Sequence, residues 1–169
     1  MLLDMGMAKP IAFWDYDGFD PIRVQIQLRH IEVDALEAYL AEQTIQMRNS
    51  AEVGSKVFMV IDARAGMRPP PEIRRMQADW LAENQDNMTK SVIGIAFVVE
   101  NRMVRGAMTA IFWVSSPPIP YNVFGSLEEA MAHAVETCDA AGLQLPPKVR
   151  RDPAAHIETQ LSRYLARAG

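Results

Sequence analysis

Polar and apolar residues alternate strictly over IRVQIQLR. Ile22, Val24, Ile26 and Leu28 fall on one side, and Arg23, Gln25, Gln27 and Arg29 on the other. A period of two predicts a strand with one face in the core and one in water. A short β-prone run, Ile11 to Trp14, precedes it, and Asp17-Gly18 between the two is a turn signal. The expectation is a β-hairpin turning at Asp17-Gly18. From Val33 to Arg48 the spacing becomes helical, with Leu36, Leu40 and Met47 on one face and Tyr39 beside them. Lys56 to Ile61 and Val92 to Val99 are continuous apolar runs, as expected of strands buried on both faces. Between them Ile73, Met76, Trp80 and Leu81 make a helical stripe that begins at Glu72. Pro71 suits its first turn, where a missing N–H costs nothing.

Further on, Asn101 is placed to cap a helix from Arg102 to about Phe112. SSPPIP ends that helix, because proline removes a backbone donor and clashes with the preceding turn. Tyr121 to Phe124 predicts a short strand. Ser126-Leu127-Glu128-Glu129 predicts a capping box opening a helix whose inner face is Leu127, Ala130, Met131, Ala134 and Cys138. Gly142 is a C-terminal stop. After the linker LQLPPKVRR, Asp152-Pro153 starts a last helix with Ile157, Leu161 and Leu165 on one face. The order ββαβαβαβα plus a tail helix predicts an α/β domain, with helices packed on a mixed sheet of about five strands. The domain spans 11–142, followed by a linker and amphipathic helix over 143–169. That helix has too little apolar surface to stand alone, so it either docks on its own domain or pairs across a homodimer.

The chain has 169 residues, 49% hydrophobic and 22% charged, which is ordinary for one folded domain. A net charge of −4 calls for no nucleic acid partner. Cys138 is the sole cysteine, which excludes an intrachain disulfide and a cysteine zinc site. Nothing approaches the ~18 apolar residues of a membrane span, and the N-terminus lacks the pattern of a signal peptide. The expectation is a cytoplasmic protein without cofactor or metal.

Candidate chemistry lies in three places. The segment Asp62 to Arg68 follows a predicted strand, where sites of α/β proteins often sit. Asp62, Arg64 and Arg68, with Arg102 and Arg105 at the next helix start, could form a rim for an anion or acidic partner. The plainer reading is a turn in which Asp62 accepts backbone hydrogen bonds. Asp15 and Asp17 in IAFWDYDGF resemble the nucleophile motif of haloacid-dehalogenase-type phosphatases. Phe19, however, stands where Thr or Val is usual, and no paired aspartates follow to hold magnesium. Glu129, His133 and Glu136 share a helix face but lie opposite its apolar stripe, which favours a solvated face over a metal site. His30 and His156 have no evident partner in the sequence. The stretch from Met103 to Trp113 is apolar almost all round, and with Met108, Phe112 and Tyr121 it forms the candidate surface for a protein partner or apolar small molecule.

Several stretches resemble the STAS domain of bacterial anti-sigma-factor antagonists, in particular its SpoIIAA-like branch, which is similar in architecture to CRAL-TRIO lipid-transfer domains. They are VFMVIDARAG (57–66), QADWLAENQD (77–86), VIGIAFVV (92–99), RGAMTAIFWVSSPP (105–118) and VFGSLEEAMAHA (123–134). The resemblance implies a non-enzymatic regulatory or binding module. In such antagonists the loop after the matching strand carries a phosphorylated serine. Here Asp62-Ala63-Arg64-Ala65-Gly66-Met67-Arg68 holds no Ser, Thr or Tyr, so the switch is absent. An apolar, lipid-like ligand is the alternative the CRAL-TRIO similarity allows, and an Asp-dependent phosphohydrolase is a remote third.

Overall fold

A computed structural model describes residues 12–28, 32–65, 70–106, 108 and 116–168. Strands β1 (Phe13–Phe19) and β2 (Ile22–Gln27) form the expected antiparallel hairpin. Its reversal is Asp20-Pro21, joined by a cis peptide, and not Asp17-Gly18. Tyr16 pairs with Val24 and Phe19 with Ile22, three steps against two, so Asp17-Gly18 belongs to a β-bulge within β1. Gly18 serves packing: a Cβ there would strike the Tyr16 ring.

The chain then adds β3 (Val57–Asp62), β4 (Val92–Val98) and β5 (Tyr121–Phe124), each parallel to the strand before it. The result is one sheet in the order β1-β2-β3-β4-β5. Right-handed crossovers that always step the same way place their helices on one face. On that face α1 (Val33–Glu52) packs against α2 (Pro71–Glu83) and α3 (Gln85–Ser91). A further helix, α4, begins at residue 102 and is described over 102–106 and at 108. The opposite face is covered by α5 (Leu127–Ala140), which crosses β2 to β5 and packs on α6 (Pro153–Ala168). The fold is thus the expected α/β mixed sheet of five strands with a C-terminal helix. Among the described residues no helix is long and apolar enough to cross a membrane.

The larger core lies under α5 and α6. Ile22, Val24 and Ile26 meet Phe58, Val60, Ala96 and Val98 there, beneath all five expected inner-face residues of α5. A second core joins Val57, Ile95 and Met88 with Trp80, Met59 and Phe97 on the other face. The alternation in β2 thus chooses its core side as expected. The polar side is not simply wet, however, because Arg23 and Gln25 are half-buried on the side of α1. Helix α1 runs four residues beyond the expected Arg48, to Glu52. Helix α3 has no counterpart in the periodicity. Asn84 ends α2 by donating to the Trp80 carbonyl at 3.0 Å, and its own carbonyl accepts the N–H of Met88. Gly142 adopts a φ of 71°, the left-handed stop expected after α5.

The Ser126 hydroxyl accepts the N–H of Glu129 at 3.2 Å. Glu129 reaches back to the N–H of Gly125 at 3.2 Å, one residue beyond the usual capping box. Ser126→Ala should lower unfolding free energy by about 1 kcal/mol in a urea titration, and Ser126→Asp should retain most of it. Equal losses in both variants would remove the cap from the account.

Candidate functional site at the C-terminal edge of the sheet

Parallel strands β2 to β5 all end on one edge, so the segments leaving β3, β4 and β5 converge there. The ladder continues past the strands: Ala63 donates to the Val98 carbonyl at 3.0 Å and Val99 to that of Phe124 at 2.9 Å. Asp62, the last residue of β3, is only 2% exposed. Its carboxylate accepts the backbone N–H of Arg64 at 3.1 Å. The Arg64 side chain binds both carboxylate oxygens, with Nε at 3.0 and 3.1 Å and Nη2 at 2.7 Å. This hydrogen bonding raises the Arg64 pKa, burial opposes the rise, and the charges of Asp62, Glu158 and Glu100 add to it. Asp62 is therefore committed to its own turn, leaving little of a general base. Arg64 spends its fork on Asp62.

Arg102 and Arg105 stand on the same edge, as the crossover topology requires. Arg102 is exposed at the start of α4, where Asn101 Oδ1 accepts the N–H of Met103 at 2.8 Å and of Val104 at 3.4 Å. The Arg105 guanidinium lies against Gly125, so that a Cβ there would meet its Nη1, with Glu129 Oε2 within 3.7 Å of the same point. The edge is a seam of mixed charge in which Asp62, Glu100, Glu129 and Glu158 offset the arginines. Arg68 lies outside the described residues.

The apolar candidates do not gather at one point. Met103 is 84% exposed in the first turn of α4, on the C-terminal edge. Met108 is half-buried. Tyr121 opens β5 opposite Ile95 and sets its ring edge-on to Phe97 at 6.5 Å, toward the other end of the sheet. Phe112 and Trp113 lie outside the described residues.

The other motifs acquire structural roles. Asp15 and Asp17 sit inside edge strand β1 rather than in a loop after a strand. Charges there and the bulge beside them discourage pairing of the free edge with another chain. Asp15 accepts the Tyr39 hydroxyl at 3.2 Å. Its pKa is raised by desolvation, an effect opposed by that hydrogen bond and reinforced by the charge of Glu42. Glu129 is occupied by its cap, and the His133 ring packs 5.9 Å from Phe58 and 5.2 Å from Phe124. Among the described residues no three His, Cys, Asp or Glu side chains are grouped to hold a metal ion. Cys138 is buried, and burial, helped by Asp139, pushes its thiol up to about 11, which suits a core residue better than a nucleophile.

His156 does have a partner. Its Nε2 lies 2.7 Å from the Tyr16 hydroxyl, and Lys148 Nζ stands 3.5 Å from that oxygen and 5.7 Å from the centre of the Phe19 ring. Trp14 meets Tyr164 in the same cluster. These contacts join α6 to β1 across 140 residues of sequence, a separation no local pattern reports. The tail helix is thus docked on its own domain. The chain matches no family model, no curated protein and no solved structure.

Proposed function

We propose that this chain is a non-enzymatic STAS-like module that binds a protein partner through the start of α4. The observation that carries this is Met103, a flexible apolar side chain left 84% exposed in the first turn of α4, just after strand β4. Thioether side chains adapt to a partner surface, and an exposed one beside a charged rim is a usual element of a docking site. The STAS-like part of the reading is supported by the quoted stretches, the order of elements and the five-stranded mixed sheet. Binding rather than chemistry is supported by the commitment of the most buried acid, Asp62, to Arg64. The loop that would carry a switch serine begins with that pair and has no hydroxyl to phosphorylate.

Native mass spectrometry of the chain purified from its own cells tests this reading. The expected spectrum contains a second polypeptide, lost in both Met103→Asp and Trp113→Ala while circular dichroism stays unchanged. A small molecule bound in its place would support an apolar-ligand carrier. A bare monomer for the unmodified chain, or a complex indifferent to both substitutions, would overturn the proposal.

A further inference from the structure

The opposite end of the sheet holds an arrangement for which the fold has no evident use. A cleft of about 30 Å³ lies where the last turns of α1 pass the beginnings of β2, β3 and β4. Its apolar part includes Met47 and Met59, and its polar part includes Arg23 from β2, Gln43 and Ser50 from α1, and Ser91 from α3. Two of these polar groups lack what their position normally supplies. Arg23 has one long contact, Nε to Asp20 Oδ1 at 3.4 Å, with an Asp20 side chain that is 62% exposed. Both of its terminal nitrogens have no partner among the described residues. Ser50 is 7% exposed, and its hydroxyl likewise has no partner among them. Helical hydroxyls nearby bond back to the carbonyl four residues earlier: Thr44 to Leu40 at 3.0 Å and Ser91 to Asn87 at 2.6 Å. Ser50 makes no such bond, although a buried polar group ordinarily finds one.

We propose that this cleft binds a small oxyanion, the carboxylate or phosphate head of a ligand, with the Arg23 fork as its charge partner and the Ser50 hydroxyl as a second donor. A guanidinium with two free terminal nitrogens matches two oxygens of such a group. Lys56 stands at the same end of the sheet, donating to the Lys90 carbonyl, and adds positive charge there. Three acids lie nearby in the chain: Asp20, in its long contact with Arg23, Glu42, whose carboxylate accepts the Gln46 amide at 3.4 Å, and Glu52, exposed at the end of α1. The enclosed space holds a water or two, so it takes the head group and leaves the rest of the ligand in solvent.

Inorganic phosphate and acetate, each titrated into the full chain at constant ionic strength with chloride, test the site. The side-chain amide signals of Gln43 and Gln46 and the Arg23 Nε–H signal are followed by NMR. Saturable shifts in these signals are expected, with affinity falling about tenfold or more in Arg23→Gln. Ser50→Ala should weaken binding several-fold with the melting temperature kept. Saturation by only one of the two anions identifies the head group. Shifts that grow linearly without saturating, or equal affinity in the unmodified chain and Arg23→Gln, would overturn the proposal. Should Arg23→Gln fail to fold, Arg23→Lys decides the matter. It keeps the charge and loses the fork, so undiminished affinity there would also overturn the assignment.

Discussion

Replacing Arg64 by alanine is expected to lower the unfolding free energy by about 2–3 kcal/mol at neutral pH. Asp62 would remain almost fully buried, with the backbone N–H of residue 64 as its surviving partner of those now seen. Removing one member of a buried pair typically costs about 3–5 kcal/mol, because the remaining charge is desolvated without compensation. The lower figure applies here since the Arg64 side chain is 35% exposed and water can reach part of the vacated space. A urea titration measures the loss. Asp62→Ala combined with Arg64→Ala should cost less than Arg64→Ala alone, since the double variant buries no unpaired carboxylate. If Arg64→Ala stays within about 0.5 kcal/mol of the unmodified chain, as a neutral surface substitution would, the pair does not hold the loop. The same experiment bears on function. A pair of this strength fixes Asp62 and Arg64 at the start of the rim, and leaves exposed Arg102 with more free charge than Arg64.

What could be seen in the sequence was local. Strict alternation in Ile22, Val24 and Ile26 reveals a buried face because neighbouring side chains of a strand point opposite ways. The five residues lining α5 reveal themselves through helical spacing, and all five are buried. The hidden features depend on distant neighbours or on two local structures sharing one composition. Asp17-Gly18 fits a hairpin turn and a bulge equally well, and Pro21, which cannot donate a ladder bond, took the turn. The polar side of β2 predicted water, since alternation alone does not say what covers the other face. Here α1 half-buries it, and the two terminal nitrogens of Arg23 on that side have no partner among the described residues. Helix α3 has no apolar stripe over NQDN, and packing of Met88 and Ser91 decides it. At the candidate site the arginines at one edge followed from topology. The bidentate bond between residues 62 and 64 did not, because it depends on which way each side chain turns.

Ile157→Ala carries the second large effect, an expected loss of about 3 kcal/mol, within the range for removing most of a fully buried aliphatic side chain. Ile157 is 0% exposed in the cluster that contains Phe19 and Val149, whereas Leu165, two turns further along the same apolar stripe, is 49% exposed. Helix α6 is therefore held most firmly by its first half, by Ile157, by the His156 contact with Tyr16, and by Asp152, whose carboxylate accepts the N–H of Ala155 at 3.2 Å, while Leu161 and Tyr164 add partly buried contacts further along. Leu165→Ala should then change stability by no more than about 0.5 kcal/mol. Chemical denaturation of both variants at two protein concentrations measures the difference. A loss at Ile157 that is independent of concentration is the signature of a helix docked on its own domain. A loss that shrinks as the protein is concentrated would mean that a second copy contributes to the site. Similar losses at residues 157 and 165 would mean that the whole stripe is covered, and the docking described here would then be wrong.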